Sequence, residues 1–315
     1  MLSVQSFLIG GITLLPDMQS LNIKNDVDLS DITLVCVTYN SALVIESCLS
    51  PLLDVANVVI VDNASRDDSV DRVLALRPDA KIIQNDGNPG WGPAVNQGFA
   101  AVETTFALLM NPDATITPEV ACQLKSAAIE NENAGIVAPF LYSPNRGLEL
   151  TMRGPGERNH EKPEIVPEGP VCTWFMTGAV WFCRVSAFRD IGGFDENIWV
   201  YCEDLDVCKR LAMKNHAMIL LPDARGDHLV SRAQPSTIAI RWRKEWNIVW
   251  GHLYLIQKYE TTTQATSEAW KLIRKHAPKA LFYVLVLRQG RFLRDLAVAH
   301  AACSYLLGKK PKIRR

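Results

Sequence analysis

Between residues 31 and 113 the chain repeats one pattern. A short apolar, β-branched run stops abruptly on a polar turn, and a stretch with helical spacing follows. Residues 32–37 end at Thr38-Tyr39-Asn40-Ser41, residues 57–61 at Asp62-Asn63-Ala64-Ser65, and residues 105–110 at Asn111-Pro112-Asp113. Residues 81–84 form a further short run, while residues 42–53, 67–76 and 93–102 have helix-like spacing. Unbroken apolar runs mark strands covered on both faces, and strands alternating with helices build a largely parallel α/β sheet. Such sheets bind ligands at the carboxyl ends of their strands. The polar residues of this chain gather at those ends.

The rest of the chain reads differently. Residues 144–170 are rich in Gly, Pro and charge and predict a long loop, a lid or an acceptor-binding segment. Residues 173–185 are apolar and return to the sheet, and residues 203–214 fit a helix. The net charge of −1 hides an asymmetry. Residues 241–315 hold 16 Lys and Arg against 4 Asp and Glu, a surplus of +12, which leaves −13 on residues 1–240. Three segments are therefore expected: an extension over 1–30, a catalytic domain over 31–240 and a basic, aromatic-rich helical tail over 241–315. The apolar start of the extension lacks a basic flank and a small-residue cleavage site, so no cleaved signal is expected. The 8 cysteines include no C-x-x-C pair and several lie in apolar runs, which predicts buried thiols in a reducing compartment.

Two carboxylates, Asp62 and Asp113, directly follow predicted strands. Each either accepts hydrogen bonds from a base or ribose, or holds a metal carrying a diphosphate, or merely closes a turn. Neither G-x-G-x-x-G after the first strand nor G-x-x-x-x-G-K-[ST] occurs, which argues against dehydrogenase and phosphate-loop chemistry. Glu203, Asp204 and Asp206 crowd a helix start, where the helix dipole favours them and where one could serve as general base. His228 is either a metal ligand or a structural histidine.

Taken in order, these segments resemble the family-2 glycosyltransferases of the GT-A fold, nearest the bacterial rhamnosyltransferase-like branch. The matching stretches are Val37-Thr38-Tyr39-Asn40, Val61-Asp62-Asn63-Ala64-Ser65, Asn88-Pro89-Gly90-Trp91-Gly92, Asn96-Gln97-Gly98 and Asn111-Pro112-Asp113. They continue with Thr177-Gly178-Ala179, Gly192-Gly193-Phe194-Asp195-Glu196 and Glu203-Asp204-Leu205-Asp206. The resemblance spans about residues 31–237. It implies a Rossmann-like central sheet flanked by helices, an inverting transfer from a nucleoside-diphosphate sugar, and Mg2+ or Mn2+ held by Asp113 and His228. It further implies a donor site of Thr38, Tyr39, Asn40, Asp62, Asn63, Asn88, Gly90, Trp91, Asn96, Asn111 and Asp113. Thr177 and Gly178 would face the acceptor, and Asp204, or else Glu203, would take its proton. Trp91 either walls the sugar pocket or packs beneath its loop. The chain departs from the pattern at Cys202, where an aromatic residue or Gly is usual, at Asn111 in place of the first DXD aspartate, and in the loop carrying Ser231, Arg232 and Ser236.

In the tail, Trp242, Trp246 and Trp250 recur every four positions among Arg241, Arg243, Lys244 and Lys258. That is one helical stripe. It suits an anionic membrane face, or packing against the catalytic domain or a second subunit in a homodimer. Charges interrupt residues 279–307, so a spanning helix is not expected. Nor is nucleic-acid binding, since no recognised module accompanies the positive charge. The expected setting is cytoplasmic, peripheral on the inner face of the cell membrane, with a glycan or lipid-linked acceptor. Two rivals are a non-catalytic sugar-nucleotide-binding or scaffold protein, which would tolerate loss of Asp113 or Asp204, and a nucleotidyltransferase, whose glycine-rich phosphate loop is absent here.

Overall fold

The computed structural model describes residues 13–14, 28–143, 147–148, 169–229 and 237–311. Most of the 1–30 extension and of the 144–170 loop, and with them Ser231, Arg232 and Ser236, lie outside the described residues. The chain divides into two compact units, one of Met1–Gly87, Ala94–Phe194 and Val207–Gln234, the other of Asn88–Pro93, Asp195–Asp206 and Pro235–Arg315.

The first unit holds the sheet. Its strands are β1 (Thr13–Leu14), β2 (Ile32–Thr38), β3 (Asn57–Asp62), β4 (Lys81–Gln84), β5 (Phe106–Met110), β6 (Ala114–Thr115), β7 (Ala134–Ser143), β8 (Gly147–Leu148), β9 (Val171–Cys172), β10 (Val180–Arg184) and β11 (Ala217–His228). Their order is β1-β9-β11-β7-β10-β5-β2-β3-β4, with β6 paired to β11 and β8 to β7. β4, β3, β2 and β5 run parallel, as the alternating pattern predicts. β10 lies antiparallel between β5 and β7, which makes the sheet mixed. All seven residues of β2 and all five of β5 are buried, which is why they read as unbroken apolar runs. From β2 the chain moves outward to β3 and β4 on one side, then crosses to β5 on the other. The β2–β5 boundary is therefore the switch point, where the carboxyl ends leave a crevice.

Helices α1 (Ile45–Leu49), α2 (Ser69–Leu76), α4 (Pro118–Glu130) and α5 (Val185–Asp190) belong to this unit, while α3 (Trp91–Ala100) and α6 (Glu203–Met213) each begin in the second. The helix expected over 42–53 is shorter and ends in a 3-10 turn, Ser50–Leu52, because Pro51 cannot donate the next α-helical bond. In α4 the Thr117 hydroxyl caps the Val120 amide at 3.4 Å with Pro118 in the first turn. One core, including Ile32, Leu34, Ile60, Leu108 and Phe182, fills the space under the sheet.

Three long helices make most of the second unit: α7 (Ile238–Tyr259), α8 (Thr262–Leu285) and α9 (Gln289–Leu306). Thr237 and Thr261 cap α7 and α8 by accepting from Ile240 and Gln264. Leu253, Ala269 and Ala302 form their shared core, and fully buried Asp295 on α9 is tied to His276 on α8 at 2.5 Å. The Trp stripe of α7 packs within the tail itself, a partner that neither reading of the stripe named. Trp242 and Trp246 lie 5.8 and 6.3 Å from the His300 ring of α9, and buried Trp250 donates to the Lys309 carbonyl at 2.8 Å. Among the described residues no helix is long and apolar enough to cross a membrane.

Candidate active site

At the end of β2, Thr38 is fully buried and its hydroxyl donates to Asp62 Oδ1 at 2.9 Å, while the Ser65 amide donates to Oδ2 at 3.0 Å. Asp62 therefore closes its own turn. Each of its oxygens retains a second lone pair for a ligand donor. Backbone bonds extend the arrangement: Asn63 donates to the Thr38 carbonyl and Asn85 to that of Asp62, both at 2.9 Å. The Asn63 side-chain oxygen accepts from Asn85, which exchanges bonds with Gln97. Asn40 adopts a positive φ of 52°, tolerated by asparagine, and its side chain caps the Arg66 amide at 2.8 Å. Tyr39 beside it is 38% exposed at the rim. The two strand-end turns thus interlock into one rigid floor.

Across the switch point the end of β5 carries Asn111 and Asp113. The Asn111 amide donates to the Ala179 carbonyl at 2.8 Å, which sets Thr177 and Gly178, just before β10, beside this strand end. Asn111 Oδ1 is buried with no hydrogen-bond partner among the described residues. Leaving a buried amide oxygen unpaired costs about 1–3 kcal/mol, so this atom fits a site that receives its partner from outside. Asp113 meets His228: Nε2 stands 3.3 Å from Oδ1, with both side chains about nine-tenths buried. The β6–β11 ladder, with His228 opposite Ala114 and Asp227 opposite Thr115, brings them together, and the Leu229 amide adds a 2.8 Å bond to the Asp113 carbonyl. Among the described residues no cluster of three or more His, Cys, Asp or Glu could hold a metal. One carboxylate, one imidazole and an orphaned amide oxygen nonetheless fit a divalent cation whose remaining ligands are phosphate oxygens and water. Asn96, expected near the donor, uses both ends of its amide on the Phe194 backbone, at 2.8 and 2.9 Å.

The second unit carries the remaining expected residues. Gly90 has φ 112° and no room for a Cβ, which would lie 2.4 Å from the Trp199 carbonyl oxygen. Asn88 Oδ1 accepts from Gly90, the Trp91 amide donates to the Trp199 carbonyl at 3.1 Å, and the Trp199 indole donates to the Asn88 carbonyl. Residues 88–91 are thereby pinned on Trp199. Before α6, Tyr201 and Cys202 both have positive φ, 66° and 72°. Two consecutive left-handed residues that are not glycine store strain directly ahead of Glu203 and Asp204. Cys202 donates to the Ile248 carbonyl of α7, and Gly251 gives it space. Glu203 is 8% exposed and its Oε2 has no hydrogen-bond partner among the described residues; burial, then the charge of Asp204, pushes its carboxyl up to about 8. At neutral pH Glu203 is therefore mostly protonated.

Sequence reasoning missed a cluster behind these residues. Asp206, fully buried, accepts from Lys258 at 2.6 Å and from the Tyr259 hydroxyl at 2.7 Å. Lys258 also donates to Asp195 at 2.7 Å, as does Tyr254 at 2.8 Å. Burial alone would raise the Asp195 carboxyl, but hydrogen bonds from Lys258, Asn197 and Tyr254 outweigh it and hold it at about 2. The recurrence of Tyr254 and Lys258 at helical spacing, opposite two acidic residues already inside quoted motifs, was the available signal.

Several known proteins are similar to this chain. The model of glycosyl transferase family 2 matches residues 33–192. An N-acetylglucosaminyl-diphospho-decaprenol L-rhamnosyltransferase of Mycobacterium tuberculosis is 24% identical over 229 residues, covering 62% of this chain and 74% of that protein. The hexosyltransferase Agl10 of Haloferax volcanii, of low-salt glycan biosynthesis, is 25% identical over 206 residues, 59% of this chain and 63% of its own. Among solved structures, a mannosyltransferase of Pyrobaculum calidifontis, determined with GDP-Man and Mn2+, superposes with TM-score 0.56 at 16% identity over 89% of this chain and 88% of that one. The fold is thus the GT-A fold expected from the motifs.

Proposed function

The chain belongs to glycosyl transferase family 2, and we propose that it moves a hexose, rhamnose or a relative, from a nucleoside-diphosphate donor to a hydroxyl of a glycan or lipid-linked acceptor, with inversion, in cell-surface polysaccharide synthesis. The observation that carries this reading is the meeting of Asp113 with His228 past the end of β5, two residues after Asn111, whose side-chain oxygen is buried and orphaned. In this reading Asp62 and its neighbours Thr38, Asn40 and Asn63 hold the nucleoside, and Asp113, His228 and Asn111 hold Mg2+ or Mn2+. The cation, when bound, offsets charge on the departing diphosphate. The acceptor oxygen attacks the anomeric carbon as the bond to the diphosphate oxygen breaks, and that electron pair leaves on the nucleoside diphosphate. Asp204 takes the hydroxyl proton. Neutral Glu203 keeps a second negative charge away from the base. The relative named for a decaprenol-linked substrate, together with the +12 of residues 241–315, supports a peripheral place at the inner membrane face.

The test is release of nucleoside diphosphate from a panel of nucleotide sugars with Mn2+, with and without EDTA. Turnover of one donor, abolished by EDTA and by Asp113→Ala, is the expected result. A donor that binds tightly but is never consumed with any glycan or lipid-linked acceptor would overturn the enzymatic reading in favour of a binding protein.

A further inference from the structure

The corner between α8 and α9 gathers six exposed large apolar side chains. Leu281 is 68% exposed, Phe282 56%, Val284 46%, Leu285 76%, Val286 44% and Leu287 90%. A patch of this kind on a water-facing surface marks an interaction site. Its rim is of one sign. Between Glu268 and Asp295 the chain has 7 basic residues and no acidic one, and Lys279, Arg288 and Arg291, which flank the corner, are all exposed.

The backbone of the corner adds an independent observation. Helix α8 closes with the Arg288 amide bonded to the Tyr283 carbonyl and the Leu287 amide to that of Val284, which is the Schellman arrangement. The residue in its left-handed position is Leu287, at φ 54°. Glycine fits that position without steric cost, whereas leucine strains it. A side chain 90% exposed recovers none of that strain through contacts within the chain.

We propose that the 281–287 corner is the membrane-insertion point of this protein, its apolar side chains entering the headgroup–acyl boundary of an anionic bilayer while Lys279, Arg288 and Arg291 meet the lipid phosphates. An amphipathic surface with aromatic and aliphatic residues ringed by basic ones has the chemistry of the bilayer interface. The proposal rests on the peripheral location suggested above and not on the transfer chemistry. It relocates the contact, because the Trp stripe of α7 is occupied by α9 and Lys309. Each leucine withdrawn from water changes partitioning by about tenfold, and each basic residue near an anionic surface by about fivefold.

The experiment is sedimentation of the full chain with vesicles of equimolar phosphatidylglycerol and phosphatidylcholine, compared with pure phosphatidylcholine. Wild type should bind the anionic vesicles and lose only part of that binding in high salt, since salt screens charge but not apolar insertion. Leu287→Gly is the diagnostic variant. It should raise the melting temperature, by relieving the left-handed leucine, and yet weaken vesicle binding by about tenfold. Leu285→Gln combined with Leu287→Gly should weaken it by about a hundredfold. Nucleoside diphosphate release with a water-soluble acceptor should stay at the wild-type rate in these variants. That separates failure of this proposal from failure of the enzymatic one. Unchanged vesicle binding in the double variant would overturn the proposal. So would a wild type that ignores vesicles and forms a dimer that the double variant dissociates, which would assign the corner to a second copy of the chain.

Discussion

Replacing Lys258 with methionine removes one ammonium that serves two carboxylates, Asp195 Oδ2 at 2.7 Å and Asp206 Oδ1 at 2.6 Å. The Lys258 side chain is 26% exposed, but Asp206 is entirely buried and Asp195 is 12% exposed. Methionine keeps much of the stem's packing, so the loss is electrostatic. Breaking a buried pair costs about 3–5 kcal/mol, and partial exposure of the lysine reduces this to about 2–4 kcal/mol. The titration of Asp195 points the same way. Asp195 is drawn from the ordinary 3.8 down to about 2, which corresponds to about 2 kcal/mol of stability once screening is allowed for, shared among Lys258, Asn197 and Tyr254 with Lys258 the largest part. Because its folded value lies below the unfolded one, that contribution is complete above about pH 4 and disappears as the pH falls through about 2. The stability gap between wild type and Lys258→Met should therefore be full at pH 7 and narrow in acid. Calorimetry at pH 7 should show a melting temperature lower by about 5–12 °C. Asp206 lies two residues after Asp204, so kcat should fall while the KM for donor changes little. Adding Asp206→Asn removes the stranded charge and should recover part of the stability. A loss under about 1 kcal/mol, or a double variant no more stable than the single one, would refute the reasoning.

Four further outcomes are expected. Asp113→Ala should leave the circular dichroism spectrum unchanged and weaken calorimetric binding of nucleoside diphosphate in Mn2+ by about tenfold or more, a difference that EDTA erases. Asp204→Asn should lower turnover by about 10²-fold or more at nearly unchanged donor affinity, whereas Glu203→Gln should keep substantial activity; the opposite pattern would exchange the two roles. Because the Glu203 carboxyl is raised from 4.5 to about 8 on folding, stability should decline as the pH climbs through that interval, and Glu203→Gln should flatten the decline in urea titrations at several pH values. Gly90→Ala, with its Cβ forced to 2.4 Å from the Trp199 carbonyl, should cost about 2 kcal/mol or more in thermal unfolding.

Much of this molecule is written locally in the chain. The strands Ile32–Thr38, Asn57–Asp62 and Phe106–Met110 are legible because a two-faced buried strand must be apolar nearly throughout and must end where backbone groups find turn-forming side chains, whereas edge strand Lys81–Gln84 shows only as two isoleucines between polar ends. The position of Asp62 and Asp113 at the strand ends follows from the same local rule, and with it the edge of the sheet where a ligand binds. Pairing between distant segments is another matter. His228 reaches Asp113 through the register of the β6–β11 ladder, and a slip of one residue would turn it to the other face. Lys258 meets Asp206, 52 residues away, only because α7 packs on the segment before α6, with Gly251 against Cys202. The Trp stripe has the periodicity of a helix face whether it meets lipid or protein, and only the position of α9 decides that it meets His300. Leu287 shows the same limit from the other direction: its composition marks it for the interior, and the turn that holds it at positive φ places it in solvent. Local propensity and period are set by neighbours a few bonds away, whereas which faces meet is set by the packing of the whole chain.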